Sequence, residues 1–109
     1  MNPMAAATDR ARVIELLRYV ASFLTSGRAR TWLPGIIGVL EVVEDDSLAD
    51  LEALKKADAR FRAMFGPGGF DDFIIWREDA EERDKVNREY DAATAELWRL
   101  LSNVRGSNR

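Results

Sequence analysis

Between Phe65 and Trp76 the chain reads Phe-Gly-Pro-Gly-Gly-Phe-Asp-Asp-Phe-Ile-Ile-Trp, and no other stretch limits the fold as strongly. Gly66, Gly68 and Gly69 permit positive φ and close backbone approach, and Pro67 blocks continuation of a helix. The bulky, β-prone run Phe73-Ile74-Ile75-Trp76 follows at once. A helix arriving at Phe65 therefore stops, turns sharply and returns aromatics to the core. An irregular Gly/Pro-rich loop over about 66–76 is expected inside an otherwise helix-periodic chain.

The remaining segments read as four helices. Thr8 is placed to N-cap the first, whose Val13, Ile14, Leu16, Leu17, Val20 and Leu24 recur at three- and four-residue spacing, with Gly27 as its stop. The second runs from near Thr31 to Glu44 with Pro34 in its first turn. It is apolar nearly all round through Ile36, Ile37, Val39, Leu40 and Val43, which predicts a central position. Gly35 and Gly38 lower its helix propensity and point to close packing against a neighbour. Asp46 or Ser47 opens the third, with Ser47 and Asp50 spaced as a capping box; Leu48, Leu51, Leu54, Phe61, Met64 and Phe65 form its stripe, and Gly66 ends it. The fourth, from about Ala80 to Ser102, carries the cleanest amphipathic pattern: Val86, Tyr90, Ala93, Leu97, Leu100 and Leu101. With 109 residues, one all-α domain over 1–109 is expected: a bundle of four main helices, antiparallel neighbours, and flexible ends at 1–7 and 106–109.

Several function classes are disfavoured by composition. The chain has no histidine and no cysteine, so the commonest general base and the commonest transition-metal ligands are missing, and nothing depends on an oxidising compartment. Ser22, Thr25, Ser26, Ser47 and Thr94 have no histidine to activate them. The start, Met1 to Thr8, lacks the basic and apolar regions of a signal peptide, and the apolar run Trp32 to Leu40 falls far short of a bilayer span. A non-catalytic cytoplasmic protein without cofactor or membrane association is the expectation.

Charge is unevenly placed. Arg10, Arg12, Arg18, Arg28 and Arg30 dominate the first thirty residues, whereas Glu41, Glu44, Asp45, Asp46, Asp50 and Glu52 form a block with no basic residue. A second block holds Asp71, Asp72, Glu78, Asp79, Glu81, Glu82 and Asp84 against Arg77 and Arg83. Such blocks repel phosphate, which disfavours nucleic acid, and attract a basic protein; they equally suit solvated faces and helix N-terminal turns. Asp71 and Asp72 carry two readings. They offer oxygen to Mg²⁺ or Ca²⁺, but the spacing matches no known cation loop; alternatively Asp72 holds backbone N–H groups of the glycine turn while Asp71 faces solvent. The glycines do not make a phosphate loop, because the Lys-Ser/Thr ending is missing. Trp98, at helical spacing, reads as core, and Trp76 is open between core and interface.

From Leu48 to Leu101 the chain resembles a family of small bacterial proteins that carry a phrase like Gly-Gly-x-Gly-Ser-Phe-Asn-Asp-Leu-Val-Leu before a last amphipathic helix. Phe70, Asp72 and the triplet Phe73-Ile74-Ile75 match in kind, and Asn87 in the last helix also resembles the pattern; Asp71 stands where Asn is usual, and Pro67 and Gly69 depart from it. Proteins of this look often accompany secreted polymorphic toxins as immunity proteins. The resemblance implies a cytoplasmic antidote that binds a cognate toxin, encoded nearby, and occludes its active site. Glu41, Glu44, Asp45, Asp46, Asp71, Trp76, Glu78, Asp79 and Glu82 are then the candidate contact residues, with Gly66, Gly68, Gly69 and Asp72 building the loop. The alternative is a self-associating adaptor domain, a homodimer formed through apolar surface on the second or fourth helix.

Overall fold

The first helix, α1, spans Pro3–Phe23 and begins five residues ahead of Thr8. Proline suits a helix start, where its missing N–H is needed least, and Ala6 sits two turns before Val13 on the same stripe. Ala6 is buried with Val13, Leu16, Leu17, Val20 and Leu24, while Thr8 is an exposed interior position and caps nothing. Gly27 is likewise no helix stop: α1 ends at Phe23, and Gly27 opens a 3-10 helix, Gly27–Trp32, that leads directly into the second helix. The computed structural model describes residues 3–25, 27–65 and 75–106.

Helix α2, Leu33–Val43, carries Pro34 in its first turn as the sequence suggests. It is not central. Ile36, Val39, Val42 and Val43 are buried, but Ile37 is 43% exposed, and α2 packs mainly against α1 and the third helix, α3, Asp50–Arg62. An apolar circumference is explained here by two faces covered and one left open. Gly35 does mark close approach, since a Cβ there would stand 2.9 Å from the methyl carbon of Met64 in the turn that follows the facing helix, whereas a Cβ on Gly38 would meet only Arg60 Nη1, at 3.9 Å. At Gly38 the carbonyl accepts a bond from Arg60 Nη1 at 3.0 Å. Pairing of 35 with 64 and 38 with 60 makes these neighbours antiparallel.

Helix α3 spans Asp50–Arg62 rather than starting at Asp46 or Ser47. The capping box does not form. Asp45 Oδ1 instead accepts from both the backbone N–H and the hydroxyl of Ser47, a turn that competes with helix for the same groups. Leu54 and Phe61 are fully buried with Ala53 and Ala57, while Leu48, Leu51, Met64 and Phe65 are half-buried at the rim. Burying a side chain the size of Phe61 or Leu54 contributes about 1.5–3 kcal/mol.

Helix α4 spans Ala80–Gly106, four residues beyond Ser102, because Val104 continues the stripe of Leu97, Leu100 and Leu101 into the core. Asp79 is its N-cap: Oδ2 accepts the N–H of Glu82 at 2.9 Å. Both α1 and α3 pack against all three other helices, and this pair forms the centre of an all-α four-helix bundle. There is no strand, and no helix long and apolar enough to cross a membrane, among the described residues. Residues 66–74, and with them Gly66, Gly68, Gly69, Asp71 and Asp72, lie outside the described part.

Candidate functional site

Helix α4 begins beside a strapped irregular segment that presents Trp76 to solvent. The strap is Asn87, one face of which meets the backbone of Ile75. Asn87 Oδ1 accepts the Ile75 N–H at 2.9 Å, and Nδ2 donates to the Ile75 carbonyl at 2.9 Å and to the Arg83 carbonyl at 2.8 Å. Two carbonyls and one N–H fix the orientation of the amide without ambiguity. The Ile75 side chain is thereby pinned into the core at 2% exposure, and the next residue, Trp76, is turned outward at 67%.

Arg83 completes the arrangement one turn earlier. Its guanidinium carbon stands 4.0 Å from the Trp76 ring centroid, a cation–π stack. Its Nε donates to the Arg77 carbonyl at 3.0 Å. Arg77 in turn donates to the Trp76 carbonyl at 2.8 Å and lies 3.7 Å from Glu82. Trp76 is therefore an exposed aromatic on an immobilised backbone, with the exposed acids Glu78, Asp79 and Glu82 following it in sequence. Of these, Asp79 is committed to capping α4, and Glu82 faces Arg77.

The block Glu41 to Glu52 is organised differently. Two of its six acids are met from α1, and Glu52 pairs with Lys56 in its own helix. Arg18 pairs with Glu44, and Arg10, only 13% exposed, pairs with Asp50 at 3.1 Å. Arg10 also donates to the carbonyls of Val43 at 2.7 Å, Asp45 at 2.7 Å and Leu48 at 2.9 Å. The last turn of α2 has no basic residue of its own, so a guanidinium from another helix satisfies the open carbonyls at its C-terminus and complements its dipole. Asp45 is a turn residue, and its two bonds from Ser47 hold its carboxyl below the ordinary value of 3.8. Glu41 and Asp46 are exposed. Among the described residues no three carboxylates converge as metal ligands.

Trp98 is not core. It is 40% exposed, with its ring edge-on to Phe65 at 4.9 Å, and Phe65 in turn meets Phe61 at 5.0 Å. Of these three rings only Phe61 is fully inside; Trp98 lies at the edge of the α4 stripe and covers the rim. Asp58 was invisible to hydrophobic patterning: it is buried in α3, where Arg62 donates to its Oδ2 at 3.0 Å.

Sequence reasoning also missed two links between α1 and α4. Arg12 binds Glu96 through Nε at 2.7 Å and Nη2 at 3.0 Å, and Tyr19 donates to Glu89 at 2.9 Å. The Arg12 bonds lower the Glu96 carboxyl below its ordinary value of 4.5, and the bond to Glu89 raises the Tyr19 phenol above 10.0. Advancing from 12 to 19 on α1 means retreating from 96 to 89 on α4, so these helices are antiparallel. Basic and acidic residues in separate halves of the chain were the available signal, without a rule for pairing them. The chain matches no protein-family profile, no curated protein and no solved structure.

Proposed function

We propose that the chain is a non-catalytic binding protein for a basic protein surface and, more specifically, an immunity protein that occludes the active site of a cognate toxin in the cytoplasm. The observation that carries this reading is Trp76, two-thirds exposed yet held on a backbone locked by Asn87 and Arg83. Leaving a tryptophan in water forgoes the burial it would contribute to a core, and tryptophan is enriched among residues that dominate binding energy. A fixed anchor loses little conformational entropy on association. The acids that follow it suit a basic cleft, such as toxins acting on nucleic acid present, and fill that cleft without performing a reaction.

The test is binding kinetics with the protein encoded by the adjacent reading frame. Trp76→Ala raises the dissociation rate and costs more than ~1 kcal/mol of affinity. An unaltered dissociation rate removes Trp76 as the anchor, and no complex at micromolar concentration removes the reading. Self-association is the second reading, favoured by Ile37 and Trp98, 43% and 40% exposed on α2 and α4. It requires sedimentation to depend on concentration, and Ile37→Glu to abolish that dependence.

A further inference from the structure

The two links between α1 and α4 enclose a hollow. Arg12–Glu96 and Tyr19–Glu89 are separated by seven residues, about 10 Å along either helix. Between them lie Leu16, Ala92 and Ala93. Alanines where α4 passes Leu16 leave a groove of about 430 Å³. A larger residue at 92 would close it.

Its rim is negative. Glu15, Glu89 and Glu96 face a single guanidinium, Arg12. Arg12 spends two bonds on Glu96 and a third on Glu15. Glu89 receives the Tyr19 hydroxyl on Oε2, and its other oxygen has Lys85 Nζ only at 4.0 Å, the outer limit of an ion pair. Lys85 partly offsets Glu89, and the lining as a whole stays negative, three carboxylates to one guanidinium, with Tyr19, 43% exposed, beside Glu89.

We propose that this groove docks an arginine side chain of a protein partner. Its methylene stem lies over Leu16, Ala92 and Ala93, and its guanidinium donates to Glu89 against the Tyr19 ring. An anion is repelled by the rim, and an uncharged apolar group leaves Glu89 with no more than the Tyr19 hydroxyl and a Lys85 ammonium 4.0 Å away. Arginine meets all three demands: an apolar stem, a planar head that stacks on an aromatic ring, and paired donors for a carboxylate. That the carrier is a protein rests on the binding role proposed above. The groove itself does not depend on Trp76.

The experiment titrates the isotopically labelled protein with a short capped peptide containing one arginine among alanines, and with the same peptide carrying citrulline, a neutral isostere. At millimolar peptide, amide shifts concentrate at Leu16, Tyr19, Glu89, Ala92 and Ala93, and the citrulline peptide produces none. Ala92→Leu fills the groove and abolishes the shifts, and Glu89→Gln, which keeps the Tyr19 bond, weakens binding about fivefold or more, as loss of a charge-assisted bond does. Absent shifts, equal shifts with citrulline, or shifts unchanged in both variants overturn the proposal. The titration contains no toxin. No toxin complex with peptide shifts intact therefore removes the binding role alone, and a toxin complex without peptide shifts removes the groove alone.

Discussion

Arg10 and Asn87 each satisfy several backbone groups outside their own helical turn. Arg10→Gln leaves the carbonyls of Val43, Asp45 and Leu48 to a shorter neutral side chain. It should cost about 2–3 kcal/mol in urea unfolding, the scale of bonds to a charged donor, and Arg10→Lys should recover only part, since an ammonium has no fork. Asn87→Ala strands the N–H and C=O of Ile75 and should cost about 1–3 kcal/mol. In a background where Trp76 is the sole tryptophan, its fluorescence anisotropy should fall at the same time; unchanged anisotropy would show that the amide does not hold the ring. Neither role was legible beforehand. Asn87 stood out only through its place in a resemblance, and Arg10 only as one of five early arginines. A hydrogen bond spanning 33 or more residues leaves no periodic trace in sequence.

Helices are where the sequence spoke most clearly, since a stripe such as Tyr90, Ala93, Leu97 and Leu101 depends only on spacing. Their ends were less legible. Caps read from residue type alone failed at Thr8, where Ala6 extends the buried stripe, and at Ser47, where Asp45 wins the competition for its N–H. Gly38 offers a test at this scale: a Cβ there meets only Arg60 Nη1, at 3.9 Å, so nothing must move. Gly38→Ala should therefore stabilise by roughly 0.5–1 kcal/mol, the helix propensity difference, read as a raised unfolding midpoint. The α1–α4 link offers another, through pH. Arg12 lowers the Glu96 carboxyl in the folded state, so the pair's contribution is present above the unfolded value of 4.5 and is lost as pH falls through the folded value. Stability should decline on acidification below about 4.5, and Arg12→Gln should flatten that part of the profile.

At the scale of the whole molecule, the two acidic blocks are unequal. Residues Glu41 to Glu52 looked like a free patch because Arg10 and Arg18 are remote in sequence, yet folding brings both onto the block. Reversing Asp50 would therefore set a second cation against the half-buried Arg10, and reversing Glu44 would remove an exposed pair with Arg18, so neither change isolates steering from stability. A clean test of electrostatic steering reverses Glu78, Glu81 and Asp84, all exposed near the start of α4, and separately Glu41 and Asp46. The first set should lower the association rate with the cognate partner and flatten its salt dependence, leaving the fold intact at a cost of about 0.3–1 kcal/mol for each acid lost from the α4 N-terminus. Equal rates for both sets would disconnect the α4 block from binding.

The pairing of Arg12 with Glu96 also has a bearing on how the protein is made. Eighty-four residues separate the partners, so at 5–20 residues per second a ribosome needs roughly 4–17 s to supply the second after the first. During that interval the apolar flank of α1 meant for α4 has no cover, however quickly α2 and α3 settle against its other side. Holdase binding to the nascent chain should therefore last until its last helix emerges, and synonymous codon changes that slow translation of the α4 region should lengthen that exposure without altering a single residue.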